Sequence, residues 1–192
     1  MSTRVLVIPE DPTNNGYILK PLTKMVLAEA GRPSATVNVL TNPRLRGYDH
    51  AVRAIREELA VRYRHMDLWL FFPDADRAKA DAMRDLEESL ESEGITLLCC
   101  PAEPEVEIYA TVAYRNELDI PWQEARRHGS FKEDVFPPLL EAHGDHRRPG
   151  GGRSQMTIAS LASRQSFFSR CPEVANLRDR IKQWRQLQAL QA

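Results

Sequence analysis

The stretch Val5–Gly16 reads VLVIPEDPTNNG and carries the first indication of the fold. Its four leading apolar residues run directly into two acids, a proline and a series of turn-forming residues, which is the pattern of a strand that ends near Pro9. An uninterrupted apolar run is typical of a strand covered on both faces, as in a parallel sheet. The stretch also raises a question, because Glu10 and Asp11 place two mutually repelling carboxylates at the tip of a buried strand.

The same pattern recurs three more times in the first hundred residues. Apolar residues at helical spacing separate the runs and predict helices over about 15–30, 49–64 and 77–93. Strands that alternate with helical crossovers predict an α/β fold with a parallel, Rossmann-like sheet sandwiched by helices. The predicted strands cover residues 4–9, 35–41, 67–72 and 95–100.

The alternation of apolar strand runs with helical segments ends after Pro101. The C-terminal part is predicted as helices over 104–116, over 156–163 and from Pro172 onward, with an irregular segment over 117–153. We therefore expect an α/β core over residues 1–116 and an irregular and helical C-terminal extension over 117–192 that packs on the core.

Composition limits the class of protein. A chain of 192 residues suits one domain, and its net charge of −1 argues against a globally basic nucleic-acid-binding surface. The three cysteines lack C-x-x-C spacing and predict buried thiols in a reducing compartment. The first residues do not show the charged and apolar regions typical of a signal peptide, and no apolar run approaches the roughly 18 residues of a membrane span. We expect a cytoplasmic protein without membrane association.

A second group of acids follows the third predicted strand, where Pro73 and then Asp74-x-Asp76 come after the run DLWLFF. Residues i and i+2 of an extended segment point to the same side, about 6–7 Å apart. In a parallel sheet the carboxyl ends of the strands share one edge, so these acids should lie near Glu10. Such a carboxylate cup suits Mg²⁺ or Mn²⁺, and a cation would relieve the repulsion. Alternatively, Asp76 simply caps the next helix.

These features resemble a known family. A hydrophobic strand followed by Glu10, a Thr-containing turn and a helix, and a later hydrophobic strand that ends in Asp74-x-Asp76, are similar to the Toprim domain. The residues IPEDPTN at 8–14 resemble the V-E-G-x-T-E motif of compact Toprim-like proteins, and PEVEIYA at 104–110 resembles their P-E-x-E-x-W-L-L-A segment. Cys171-Pro172 before the last helix also resembles the compact Toprim-like proteins often encoded beside an ABC- or AAA-type ATPase. The Toprim domain of these compact proteins is related to that of the overcoming-lysogenization-defect nucleases. Three positions depart from the pattern: Asp11 replaces a glycine, Asn14 replaces an acid, and Arg77 follows Asp76 where D-x-D-G would have a glycine.

The resemblance implies a metal-dependent nuclease with a Toprim-like fold. Glu10, Asp74 and Asp76 would be catalytic ligands of Mg²⁺ or Mn²⁺, and Asp11 would replace or supplement Glu10. The ion would polarise a phosphodiester and activate water.

Four further residues are catalytic candidates under this resemblance. Glu105 or Glu107 would be an additional ligand or a general base, although a carboxylate in the first turn of the predicted helix is also favoured by the helix dipole. Lys132 and Arg153 are the candidates for the basic residue that stabilises the cleaved phosphate.

The resemblance also implies partners. We expect the protein to act on nucleic acid, with DNA preferred over RNA, together with an ABC/AAA-type ATPase in antiviral defence or DNA maintenance. The chain has no G-x-x-x-x-G-K-[ST] motif, so another protein would have to hydrolyse NTP. A homo-oligomer is compatible with the sequence. Two alternatives stay open: a non-catalytic subunit that docks on the ATPase through its last helix, and a small-molecule phosphohydrolase or phosphotransferase.

Overall fold

The computed structural model describes residues 2–75 and 80–191. Four strands form one sheet in the order β2-β1-β3-β4, and every neighbouring pair is parallel. The prediction of a parallel, Rossmann-like α/β sheet is therefore confirmed. The strands are β1 (Arg4–Pro9), β2 (Thr36–Val39), β3 (Leu68–Phe72) and β4 (Leu97–Cys99).

Helices connect the strands and fill the C-terminal half. Helix α2 continues through a π-helical segment (Ile55–Leu59) into α3, and α5 continues into a 3₁₀ segment (Val112–Glu117). Further π-helical and 3₁₀ segments, Phe131–Val135 and Pro149–Gly152, precede α7 and α8. The helices are α1 (Asn15–Glu29), α2 (Tyr48–Ala54), α3 (Ala60–Arg62), α4 (Ala80–Ser92), α5 (Ile108–Thr111), α6 (Trp122–Ala125), α7 (Phe136–His143), α8 (Arg153–Ser160), α9 (Arg164–Arg170) and α10 (Pro172–Gln191).

The sheet is covered on both faces, as its apolar strands require. Alternate residues of β1 enter different clusters, because successive side chains point to opposite sides of a strand. Val5 and Val7 pack with α1, α5 and the C-terminal helices, whereas Leu6 and Ile8 pack with α2, α3 and α4. Every residue of β3 is buried.

The strand order reverses between β1 and β3. The chain leaves β1 for β2 on one side and then crosses back to β3 on the other, where β4 follows. In open parallel sheets, ligands bind outside the carboxyl ends of the strands at such a switch point. Glu10 follows β1 directly and Asp74 follows β3 after Pro73, so both acids lie there.

The predicted helix over 104–116 begins later than the sequence indicated. The backbone N–H of Ala75 donates to the carbonyl oxygens of Ala102 and Pro104 at 2.8 and 3.1 Å, so the Pro104 carbonyl pairs with the segment after β3. The first regular helical residue is Ile108. The placement of Glu105 and Glu107 inside a first helical turn is therefore wrong: Glu107 is the residue before the helix, and Glu105 lies in the preceding turn.

The irregular segment predicted over 117–153 contains regular helix. Helix α7 forms with Pro137 and Pro138 in its first turn, where a missing backbone N–H removes no intrahelical hydrogen bond. Helix α8 begins at Arg153, three residues before the predicted start, and α9 was not predicted.

The C-terminal helices pack on the sheet instead of forming a separate core. Helix α8 contacts α1 and α5, and α10 contacts α1 and β4. Val174, Leu177 and Ile181 of α10 are buried in the same cluster as Val5 of β1. Among the residues described, no helix is both long and apolar enough to cross a bilayer.

Candidate active site

Glu10 and Asp74 are hydrogen-bonded neighbours at the switch point. The backbone N–H of Glu10 donates to the carbonyl oxygen of Phe72 at 3.3 Å, which extends the β1–β3 ladder by one residue. The backbone N–H of Asp74 donates to Glu10 Oε2 at 2.9 Å. The structure thus brings together the acids that follow two strands more than sixty residues apart in sequence.

Asp11 turns toward Lys132. Asp11 Oδ1 accepts a hydrogen bond from the backbone N–H of Thr13 at 2.9 Å, and Oδ2 lies 3.3 Å from Lys132 Nζ. Burial acts to raise the pKa of Asp11, but the bond from Thr13 and the Lys132 ammonium outweigh it and lower the pKa. Asp11 is therefore held ionised and is paired with a cation.

Glu105 and Glu107 lie in the segment before α5, near Lys132 and Asp74. Glu105 Oε2 accepts a hydrogen bond from the backbone N–H of Lys132 at 2.7 Å, and this bond ties the two segments together. Glu107 is only 1% exposed, and its buried Oε1 atom has no hydrogen-bond partner in the part of the chain that the structure describes. Burial raises the pKa of both carboxyl groups. A buried carboxylate oxygen without a partner is costly, so Glu107 is a group that a ligand or a proton would stabilise.

Lys132 and Arg153 supply the positive charge. Burial acts to lower the pKa of Lys132, but the charges of Glu107 and Asp11 outweigh it and raise the pKa. Arg153 donates to the Gly150 carbonyl oxygen at 2.8 Å and lies over the Phe136 ring. Its Nε is buried without a hydrogen bond, and its charge acts on Glu107.

Among the described residues of this cluster, carboxylates outnumber cations, and this excess affects the pKa of Asp74. Burial, followed by the charges of Glu10, Glu105 and Glu107, raises the pKa of Asp74 to about 7, against an opposing effect of Lys132. Asp74 Oδ1 is also buried and makes no hydrogen bond to any described residue. We call the group the acid site; its members are Glu10, Asp11, Asp74, Glu105, Glu107, Lys132 and Arg153.

The acid site suits a divalent cation in its chemistry. It offers carboxylate oxygens, two of them buried and unpartnered on Asp74 and Glu107, which are the hard ligands that Mg²⁺ and Mn²⁺ prefer. Within residues 2–75 and 80–191, however, no three His, Cys, Asp or Glu side chains stand in a ready-made metal-binding arrangement. Asp76, the predicted third ligand, lies outside the described residues.

Seven of the eight predicted site residues therefore lie in one region, and the eighth, Asp76, is not described. Sequence reasoning did not single out a basic cluster beside the acid site, formed by Trp122, Arg126, Arg127, His128 and Arg170. The run WQEARRHG at 122–129 was the available signal, but a short mixed-charge stretch is equally typical of a solvated helix.

We found no match to this chain among protein-family models, curated proteins or solved structures. The Toprim resemblance therefore depends on the short motifs and on the geometry of the acid site, and it stays a proposal.

Proposed function

We propose that this protein is a Toprim-like, metal-dependent nuclease that hydrolyses phosphodiester bonds in DNA. The observation that carries the proposal is the hydrogen bond from Asp74 N to Glu10 Oε2, because it joins the acids of two separate Toprim-like motifs at the switch point of the sheet. A Rossmann-like parallel sheet, which the resemblance requires, adds support.

The proposed metal ligands are Glu10 and Asp74, with Asp76 as a third and Asp11 as a supplement. A bound Mg²⁺ or Mn²⁺ would supply Lewis-acid activation of the phosphate and of a water molecule. Asp74 supports this assignment, because burial and, after it, the neighbouring like charges raise its pKa to about 7 in the absence of a cation. A cation is the simplest way to compensate for that repulsion.

The other residues of the acid site have separate roles in the proposal. Lys132 stays protonated at neutral pH, because neighbouring carboxylates raise its pKa, and its ammonium would bind a phosphate oxygen. Glu105 and Glu107 have raised pKa values, which suits proton exchange with the attacking water or the leaving oxygen. Arg153 would orient Glu107 and contribute positive charge to the cleaved phosphate.

The decisive experiment compares Asp74→Asn with Asp67→Asn. Both changes remove one carboxylate charge near an end of β3, but Asp67 lies at the amino end, where it pairs with Arg4 at 3.3 Å. Supercoiled and linear DNA are incubated with each protein and Mg²⁺ or Mn²⁺, with and without a co-purified ATPase and ATP. We expect Asp74→Asn to lower cleavage at least about a thousandfold, as for removal of a metal ligand or catalytic base. Asp67→Asn should cleave like the wild type. Cleavage that survives Asp74→Asn would remove these acids from the mechanism.

A second candidate function is a non-catalytic subunit of an ATPase complex. Lys132 favours it, because its ammonium already lies among the carboxylates and partly replaces a metal ion. This candidate predicts that the wild type neither binds Mn²⁺ nor cleaves DNA under any of these conditions. Isothermal titration with Mn²⁺ distinguishes the two candidates directly.

A further inference from the structure

A cavity of about 590 Å³ lies beside the acid site. It is lined by the segment after β3, by α6 and the turn that follows it, and by the junction of α9 and α10. Its volume is within the range of small-ligand sites, about 300–1,000 Å³. We call it the arginine cavity, after the lining side chains of Arg126, Arg127 and Arg170.

The lining of the arginine cavity carries uncompensated positive charge. Arg126 contributes no free positive charge, because it pairs with two carboxylates, Glu103 at 2.9 Å and Glu173 at 2.8 Å. Among the described residues, by contrast, Arg127 and Arg170 have no carboxylate within ion-pair distance, and Arg170 Nε is buried without a hydrogen bond. Guanidinium groups bind phosphate oxygens through paired N–H donors, so this wall favours a phosphate.

The same cavity has an aromatic wall. Trp122 is half-buried, packs against the hydrophobic core and also lines the cavity. An indole fixed in this way offers a flat face on which a base can stack. Phosphate-binding arginines and a stacking aromatic are the two components that nucleotide units of single strands require.

The arginine cavity adjoins the acid site through the backbone. Ala75, which follows Asp74 directly, lines the cavity, and so does Pro104, which precedes Glu105. Ala75 N donates to the Pro104 carbonyl oxygen at 3.1 Å, so the two segments form a common wall between the cavity and the acids. A strand with one phosphate at the acid site would therefore have a neighbouring nucleotide at the cavity.

A second cavity extends this surface. It has a volume of about 530 Å³ and shares Arg127 and His128 with the arginine cavity. Two contiguous cavities of this size suit a chain of nucleotides better than one free nucleotide.

We propose that the arginine cavity binds one nucleotide unit of a single DNA strand, with its phosphate on Arg127 and Arg170 and its base on Trp122. The inference rests on the proposed function, since it names the place where the substrate strand lies next to the acid site. The shared chemistry, a phosphate and a base, could also come from a free nucleotide, and the test separates these sources.

The test measures binding of fluorescein-labelled d(T)₁₀ by anisotropy in EDTA, so that no cleavage occurs. The double variant Arg127→Ala/Arg170→Ala should weaken binding at least about tenfold and reduce the salt slope of log K by about 0.7, as expected when one phosphate of a single strand is no longer neutralised. Trp122→Leu should weaken binding about tenfold with an unchanged salt slope, because stacking is not ionic. Unfolding temperatures of all variants are measured in parallel.

The matched control is Arg62→Ala/Arg84→Ala. These arginines pair with Glu58 and Asp81 on helices over the opposite face of the sheet. The control loses the same charge and should bind d(T)₁₀ within about twofold of the wild type. Equal weakening by both double variants would show a non-specific charge effect and would overturn the proposal.

Competition by dTMP separates the two sources. We expect dTMP to displace d(T)₁₀ only at concentrations far above that of unlabelled d(T)₁₀. If dTMP displaces d(T)₁₀ as effectively as unlabelled d(T)₁₀ does, the cavity binds a free nucleotide, and the proposal that it binds a DNA strand is overturned. Wild-type protein that does not bind d(T)₁₀ would overturn the inference outright.

Failure of this inference is distinguishable from failure of the nuclease proposal. If the wild type cleaves DNA but Arg127→Ala/Arg170→Ala binds d(T)₁₀ normally, only the cavity assignment fails. If the wild type binds through the cavity but never cleaves, the binding site stands and the nuclease proposal fails.

Discussion

Two neighbouring clusters of buried charge in this protein are organised in opposite ways. Arg126 and Glu173 are both almost fully buried and pair through two hydrogen bonds of 2.9 and 2.8 Å, and Glu103 adds a third at 2.9 Å. In the acid site, five carboxyl groups share two cations, and oxygens of Asp74 and Glu107 are buried without hydrogen bonds. The first cluster is saturated, whereas the second is not.

The difference separates a structural role from a functional one. A buried ion pair that satisfies its own donors and acceptors has no capacity left for a ligand. A cluster with surplus negative charge and unpartnered oxygens reduces stability when it is empty and gains stability when a cation or a proton arrives. Strongly perturbed carboxyl groups in such a cluster are therefore candidates for function.

The largest expected effect on stability concerns the saturated cluster. Arg126→Met leaves Glu173 buried without its partner and should reduce the free energy of unfolding by about 3–5 kcal/mol. Urea denaturation followed by circular dichroism measures this change. Arg84→Met, which removes an exposed pair with Asp81, is the control and should cost at most about 0.5 kcal/mol. Equal effects of the two variants would contradict the contrast between buried and exposed pairs.

The second expected effect is a pH dependence caused by Asp74. Its pKa is about 7 in the folded protein and 3.8 in the unfolded chain, so between these values the folded state retains a proton that the unfolded state has lost. The associated stability is present below pH 4 and is lost as the pH rises through 7. We expect a loss of roughly 3 kcal/mol without metal, since one pKa unit corresponds to about 1.4 kcal/mol and partial exposure reduces the full value.

Asp74→Asn should remove this component of the pH profile. Metal-free unfolding measured from pH 4 to pH 8 should therefore be flatter for Asp74→Asn than for the wild type and for Asp67→Asn. A variant profile as steep as that of the wild type would exclude Asp74 as the titrating group.

The third expected effect is stabilisation by Mn²⁺. At a free concentration of one hundred times its Kd, a ligand that binds only the folded state adds about 2.7 kcal/mol to the free energy of unfolding. We expect Mn²⁺ to raise the unfolding temperature of the wild type at pH 8 and to leave that of Asp74→Asn nearly unchanged. A wild-type unfolding temperature that does not change with Mn²⁺ would favour the non-catalytic subunit.

The smallest expected effect comes from Lys132. Its pair with Asp11 is partly exposed, so Lys132→Met should reduce the free energy of unfolding by only about 1 kcal/mol. Because the change removes positive charge from among the carboxylates, it should tighten Mn²⁺ binding in a calorimetric titration. Lys20→Met, at an exposed position on α1, should change neither quantity. Weaker Mn²⁺ binding after Lys132→Met would show that Lys132 orders the acid site instead of competing with the ion.

Much of the sheet was predictable because its signals are local. The runs at 4–9 and 67–72 match β1 and β3 within one residue, since a buried parallel strand consists of consecutive apolar residues between turn formers. The carboxyl-end position of Glu10 and Asp74 followed from the same runs. The late start of α5 was not predictable, because it depends on a hydrogen bond between Pro104 and Ala75, which are distant in sequence.

The sequence by itself determined the parallel α/β architecture and the acids at the strand tips, because strand length, helical spacing and residue type are properties of short segments. Only the tertiary structure decided which charges are paired. Lys132 meets Asp11 across 121 residues of sequence, and Arg126 meets Glu173 across 47. The physical reason is that ion pairing and desolvation depend on the distance in space between groups, and that distance is set by packing of the whole chain.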